Sequence, residues 1–196
     1  MGNYGNFSGN PKTEWLIDPV NPDRNMKLLE DFTYTDPQGK LWLAPKDAII
    51  NGASIPRPLW TAVGSPYTDD YRRASIVHDV ACGDKKVSRK DADVMFYYAC
   101  QAGGCSPSQA RILYIGVRIG AWASAKLPSG SFAKSNLLFR KNLDMQTKVE
   151  SSMLSMLSAM AKETDKLNDS DQIEKMDKII DNYLATQNTK MLENME

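Results

Sequence analysis

The chain contains a single histidine, and an aspartate follows it directly. His78 and Asp79 lie in residues 71–82, whose residue types and spacing predict a helix. Histidine is the side chain best suited to moving protons near neutral pH. Since the sequence has no other histidine, any histidine-based chemistry in this chain must involve His78.

A second predicted helix carries Asp93. If the two helices pack antiparallel, Asp93 faces His78, where a carboxylate would fix the imidazole tautomer and stabilise the imidazolium. His78 would then take a proton from water or from a hydroxyl, and Ser54 in the loop 51–56 is the candidate nucleophile. Asp79 would remain available to bind a substrate group or a hard cation, and carboxylate oxygens suit calcium.

Three other interpretations of these residues remain open. In the first, His78 is a buried structural residue bonded to backbone, and Asp79 pairs with a neighbouring arginine. In the second, His78, Cys82, Cys100 and Cys105 form a zinc site, since three thiolates and one imidazole are a common structural ligand set. In the third, Cys82 is a nucleophile that His78 activates from one helical turn away.

The secondary-structure elements that the sequence predicts around these residues correspond to an α+β fold. Short apolar segments separated by turn residues occupy the first sixty positions and predict a small antiparallel β-meander. In this meander Met26–Tyr34 is one strand that runs into the turn Asp36–Gly39. A three-helix core follows: one helix from Ser65 or Thr68 to about Cys82, one from Ser88 to about Gln101, and one from Ser106 to about Lys126.

Residues 141–196 predict a separate helical extension of a domain that covers residues 1–140. The extension holds seven of the ten methionines and has 11 acidic against 7 basic residues, whereas residues 1–140 have 13 acidic and 17 basic residues. Apolar side chains recur at helical spacing on both sides of Asn168–Ser170 and predict two amphipathic helices. They are Val149, Met153, Met156, Met160, then Ile173, Met176, Ile180 and Tyr183. Such apolar faces suit a helical hairpin that packs on the domain of residues 1–140, or an arm that binds a partner or a second copy of the chain.

Composition excludes several classes of protein. A net charge of zero argues against dedicated nucleic-acid binding, although a basic rim would be formed by Arg57, Arg72, Arg73, Lys85, Lys86, Arg89 and Lys90. The first residues lack the pattern of a signal peptide, and no apolar stretch is long enough for a transmembrane helix. Three cysteines, an odd number, favour reduced thiols in a cytoplasm.

Several motifs together resemble the DUF1353 family of unknown function, which is common in tailed phages and prophages. The resemblance covers residues 7–125. It is carried by Asn51–Trp60, Gly64–Tyr67, His78-Asp79, Ser88–Phe96 and Leu113–Gly120.

The His-Asp pair on one helix and Ala-Asp-x-x-Phe on the next are similar to the helical core of small bacterial and fungal phospholipase A2 enzymes. In those enzymes the histidine activates water, the adjacent aspartate binds calcium, and the second aspartate orients the histidine. The resemblance implies these roles for His78, Asp79 and Asp93 respectively.

We therefore expect a phage protein of the virion or tail, located in the virion or the host cytoplasm. Its hydrolase core would act on membrane lipid esters or on bonds of the cell envelope, with calcium as the cofactor, if there is one. The alternative is a structural adaptor of the phage particle, without enzymatic activity. In that case residues 141–196 would bind other phage structural proteins or a second copy of the chain.

Overall fold

The computed structural model of the protein describes residues 2–17, 25–64, 70–126, 143–167 and 172–193. The chain divides into two compact units. The first comprises Met1–Ser54 and Gly64–Tyr114, and the second comprises Ile55–Val63 and Ile115–Glu196. The domain boundary predicted between residues 140 and 141 lies outside the described residues.

The described part of the first unit begins with six short strands, all paired antiparallel. They are β1 (Asn6–Phe7), β2 (Thr13–Trp15), β3 (Met26–Leu28), β4 (Phe32–Thr35), β5 (Leu41–Ala44) and β6 (Ile49–Ile50). One sheet has the order β1-β4-β5 and the other the order β2-β3-β6. The α+β class is confirmed, with the strands distributed between two small sheets.

The segment that the sequence predicts as one strand, residues 26–34, belongs to both sheets. Met26 pairs with Ile50 in one sheet, and Phe32 pairs with Ala44 in the other. The residues between β3 and β4 are exposed, and the Asp31 carboxylate accepts a hydrogen bond of 2.7 Å from the backbone N–H of Lys46. Buried side chains alternate with the same period on both sides of this crossing, so the sequence pattern does not reveal it.

The predicted turn at Asp36–Gly39 connects β4 to β5. The Asp36 carboxylate accepts hydrogen bonds from the backbone N–H groups of Gln38 (3.0 Å) and Lys40 (2.9 Å), as is typical of an Asx turn. Its second oxygen accepts a bond of 2.9 Å from the indole N–H of Trp42. Gly39 has a φ of +84°, which glycine adopts without steric cost. Three hydrogen bonds and the conformation of Gly39 thus fix this hairpin.

Three helices follow in the order that the sequence predicts. They are α2 (Arg72–Gly83), α3 (Arg89–Gly103) and α4 (Pro107–Lys126). Ser88 caps α3 by accepting from the N–H of Asp91, and Ser106 accepts from the N–H of Gln109 in the first turn of α4. The predicted start of the first helix, at Ser65–Thr68, lies outside the described residues.

A Schellman motif ends α3. Gly104 adopts a φ of +116°, its N–H bonds to the carbonyl of Gln101, and the N–H of Cys105 bonds to the carbonyl of Cys100 at 3.0 Å. This motif places Cys100, in the last turn of α3, next to Cys105, the residue that follows Gly104. Both thiols are buried, and burial raises the pKa of Cys100 well above its ordinary value.

The second unit contains the rest of the described helices. A 3-10 turn (Arg57–Leu59) leads into α1 (Trp60–Val63), and α5 (Leu143–Thr164) and α6 (Gln172–Glu193) come after the later part of α4. Met153, Met156, Met160, Met176 and Ile180 are all at most 3% exposed. The amphipathic character predicted for both helices is confirmed, while the predicted break at Asn168–Ser170 and Met195 lie outside the described residues.

Ion pairs join α4 to α6 within the second unit. Arg118 bonds the Asp177 carboxylate at 2.6 Å and also bonds Asp181 on the next turn of α6. Arg118 and Asp177 are both nearly buried, whereas the Asp181 side chain is 48% exposed. Among the described residues, no helix combines the length and the apolar character needed to cross a membrane.

Candidate active site

The packing of α2 against α3 brings His78 and Asp93 together inside the first unit. Small and apolar residues flank His78 on the buried face of α2, and Ala92 and Phe96 do the same for Asp93 on α3. His78 Nε2 lies 2.7 Å from Asp93 Oδ1, and both side chains are fully buried. The contact is the one expected from the sequence, and the catalytic roles of the two residues stay predictions.

The surroundings of His78 determine its charge. Burial alone would lower the pKa of the imidazole, but the hydrogen bonds to Asp93 and Cys82 and the charges of both groups raise it to about 9. The imidazole therefore carries a proton at neutral pH, and Nε2–H donates to the Asp93 carboxylate. A buried ion pair results, which costs desolvation energy but leaves neither charge uncompensated.

Two further side chains contact the imidazole ring. The ring of Phe96 lies with its centroid 4.7 Å from that of His78, at an interplanar angle of 43°. Cys82 Sγ is 3.5 Å from Nε2 and 3.8 Å from Nδ1. Since these two distances are nearly equal, the sulfur lies off the lone-pair axis of either nitrogen. Cys82 is half-buried, whereas the imidazole that it contacts is fully buried.

Arg89 is the residue of this site that the sequence analysis missed. Its Nε lies 3.2 Å from Asp93 Oδ1, the same oxygen that His78 contacts, and its side chain is 33% exposed. The available signal was the spacing, because residues four apart on a helix face each other and Arg89 precedes Asp93 by four. In the sequence analysis, Arg89 appears only as part of the basic rim.

Asp79 makes a contact that is separate from the His78–Asp93 pair, which we call the dyad. One carboxylate oxygen accepts a bond of 2.6 Å from the backbone N–H of Asn51, and the next residue of that loop, Gly52, has a φ of +93°. Ser54 is half-buried, and no hydrogen bond joins it to His78, both being described residues. The structure thus joins two of the four predicted site residues and uses a third, Asp79, to hold the loop.

The positions of the potential metal-binding side chains can be compared with the zinc and calcium sites predicted from the sequence. In the described part of the chain, one group has the spacing of a metal site, with donor atoms of His78, Cys82 and Asp93 within 4.8 Å of one another. Cys100 and Cys105 belong to the Schellman motif instead, so the predicted four-ligand zinc set does not form. Calcium takes six to eight oxygens, whereas the group offers one carboxylate, already bonded to His78 and Arg89. This group therefore does not suit calcium, whereas Asp79, the residue expected to bind calcium, lies outside the group, and its role as a calcium ligand stays a prediction.

The comparison with known families agrees with the motifs. Residues 26–117 match the family described as "Protein of unknown function (DUF1353)". These residues belong to the DUF1353 family. The DUF1353 region contains the whole site, including Arg89, whereas residues 141–196 lie outside it.

Two relatives, both from Sinorhizobium fredii (strain NBRC 101917 / NGR234), are similar to this chain. Uncharacterized protein y4jT is 32% identical over 111 residues, which cover 57% of this chain and 32% of the relative. Uncharacterized protein y4iH is 38% identical over 103 residues, which cover 52% and 43% respectively. The match therefore spans less than half of either relative. No solved structure matches the chain.

Proposed function

We propose that the DUF1353 region is a hydrolase in which His78 is the general base and Asp93 orients it. The observation that carries the proposal is the 2.7 Å bond between His78 Nε2 and a fully buried carboxylate. Such a partner selects one tautomer of the imidazole and stabilises the imidazolium that forms during proton transfer. The substrate class that we propose is an ester of membrane lipid or a bond of the cell envelope.

The tautomer assigns the base nitrogen. With Nε2–H donated to Asp93, the lone pair of neutral His78 is on Nδ1. A water molecule would lose a proton to Nδ1 while its oxygen bonds to the ester carbonyl carbon. Collapse of the tetrahedral intermediate would break the ester bond, and the alcohol would take the proton back from Nδ1, so that protons balance. No step requires calcium.

Two properties of the site set conditions on this mechanism. His78 is fully buried, so Cys82 or Arg89 at the edge of the site must move before water and substrate reach Nδ1. Because only neutral histidine can accept a proton, and its pKa is raised to about 9, the rate should increase as the pH rises through about 9.

Hydrolysis of mixed phospholipid vesicles tests the proposal, with fatty acid release measured between pH 7 and pH 10. The variants are His78→Gln and Asp93→Asn, and Ser75→Ala is the matched control because it removes a buried polar group from the same helix. We expect His78→Gln to lower the rate by about 10²–10⁴-fold and Ser75→Ala to keep it. Calcium and a chelator are compared in parallel, and a lower rate with the chelator would support calcium binding at Asp79.

The biological setting that we propose is the phage particle, on the basis of the family resemblance seen in the sequence motifs. Residues 141–196, which are outside the DUF1353 match, would bind other proteins of the particle or a second copy of the chain. Co-purification of the full chain with assembled particles would test this setting separately from the activity.

A second candidate, a structural adaptor, is favoured by one specific observation. His78 and Asp93 are both fully inaccessible to solvent, which a purely structural ion pair between α2 and α3 also explains. Folded wild-type protein that releases no fatty acid at any pH from 7 to 10 would reject the lipid-ester hydrolase and favour the adaptor.

A further inference from the structure

The side chain of Arg89 connects the buried dyad to solvent. Its guanidinium is bonded through Nε to Asp93, which is fully buried, while about a third of the side chain is exposed. Phe96 and Cys82 contact other parts of the imidazole. Arg89 is therefore the charged group at the edge of the site that a ligand from solvent would meet beside Asp93.

One nitrogen of this guanidinium has an unused donor. Arg89 Nη2 is buried and has no hydrogen-bond acceptor among the described residues. A buried donor without an acceptor destabilises the folded protein, and more strongly when the donor is charged. A guanidinium also has a planar fork that matches two oxygens of a phosphate or a carboxylate.

The charges of the surrounding segment favour an anion. Residues 84–91, which connect α2 to α3 and begin α3, contain four basic and two acidic residues. Lys85 and Lys86 are exposed in this segment. They would attract a phosphate group without contacting the dyad.

We propose that Arg89 binds a phosphate oxygen of the substrate through Nη2, once the movement that admits the substrate has uncovered this nitrogen, while its Nε holds Asp93 in position for His78. The proposal deepens the proposed function, on which it rests, since it names a phosphate-bearing ester as the substrate class. Arg89 is at once a phosphate ligand and a positioning residue for Asp93. The phosphate would come from a lipid headgroup, or from free phosphate that competes with it.

The experiment is phosphate binding to the full chain without turnover. Because the chain has a single histidine, the imidazole NMR signals of His78 report on the site without overlap. They are followed at constant pH and ionic strength while inorganic phosphate, glycerol 3-phosphate or dispersed short-chain phosphatidylcholine is added, with chloride as the control anion. Tighter binding of the two glycerol compounds than of inorganic phosphate would identify the headgroup as the ligand, and the reverse would identify free phosphate.

Three variants separate Arg89 from general electrostatic attraction. Arg89→Gln should weaken binding by about tenfold or more, the effect of losing a charge-assisted hydrogen bond. Arg89→Lys, which keeps the charge and loses the fork, should be intermediate. Lys86→Gln removes one charge from the same exposed segment and should change affinity by about twofold or less, because that charge is screened.

Several outcomes would overturn the proposal: no saturable change in the wild type, unchanged binding by Arg89→Gln, or equal losses in Arg89→Gln and Lys86→Gln. Saturable binding by protein that hydrolyses no vesicles would retain the Arg89 site and reject the hydrolase. Hydrolysis that is insensitive to Arg89→Gln would retain the hydrolase and reject the Arg89 site.

Discussion

Raising the pH from 6.5 to about 9 should destabilise the first unit through His78 alone. The pKa of His78 is raised from the ordinary value of 6.5 to about 9 in the folded protein. Folding therefore binds a proton between these values, and the free energy of unfolding falls as the pH rises. The stabilisation is fully present below pH 6.5 and is lost as the pH passes through about 9. Since one pH unit of pKa difference equals about 1.4 kcal/mol, the loss amounts to about 3 kcal/mol.

Urea unfolding at closely spaced pH values between 6 and 10 measures this loss, with reductant present. Trp60 and Trp122 belong to the second unit, so replacing both with Phe leaves Trp15 and Trp42 as fluorescence probes of the first unit. The comparison protein carries His78→Gln in the same background. Because tyrosines and cysteines titrate in both proteins, the difference between the two curves isolates His78.

The same pKa can be measured directly from the imidazole NMR signals of the single histidine. In Asp93→Asn the imidazole loses its carboxylate partner, so its pKa should fall and the decline in stability should shrink. The reasoning is refuted if His78 titrates at or below 6.5 in the folded wild type. It is equally refuted if His78→Gln shows the same decline in stability as the wild type.

Three further perturbations follow from individual contacts. Arg118→Met removes the arginine that pairs with the buried Asp177 carboxylate and should cost about 3–5 kcal/mol, whereas Asp181→Asn, at an exposed partner, should cost about 1 kcal/mol or less in urea unfolding. Gly103→Ala places a Cβ 2.3 Å from a carbonyl oxygen and should lower the melting temperature, whereas Gly83→Ala, with open space around it, should not. Alkylation of half-buried Cys82, located by mass spectrometry, should abolish vesicle hydrolysis, and activity of the fully alkylated protein would contradict the access route.

Features that depend on local sequence could be predicted. Ser88 and Ser106 each accept a hydrogen bond from the backbone N–H three residues later in the chain. The beginnings of α3 and α4 can therefore be predicted from the sequence. The Gly103-Gly104 end of α3 is equally local. The contact between His78 and Asp93 was predictable because each lies on the apolar face of its helix and a short connection makes the helices antiparallel neighbours.

Features that depend on distant partners could not be predicted. The backbone N–H that bonds the Asp79 carboxylate belongs to Asn51, 28 residues earlier, and nothing near Asp79 indicates that partner. β1 consists of only Asn6 and Phe7, too short for a periodic pattern, and becomes a strand by pairing with Thr35 and Tyr34. Arg89 was overlooked because a solvated basic residue is the usual interpretation of such a segment.

The apolar face of α6 repeats every four residues. Met176, Ile180 and Leu184 are all buried, at 0%, 0% and 7% exposure. A slide of this helix by one turn, about 5.4 Å, would replace two of these three side chains by another apolar one. Methionine adapts readily to such changes, so burial alone distinguishes poorly between the two axial positions.

Arg118 makes that distinction, because it bonds both Asp177 and Asp181. A slide in one direction would bring Asp181 to the place of Asp177 and Ala185 to the place of Asp181. A slide in the other direction would bring Ile173 to the place of Asp177. Either slide would take one of these two carboxylates away from the buried guanidinium, which is costly, whereas the apolar face of α6 would change little. The two aspartates thus select a single alignment of α6 where hydrophobic contacts would accept several.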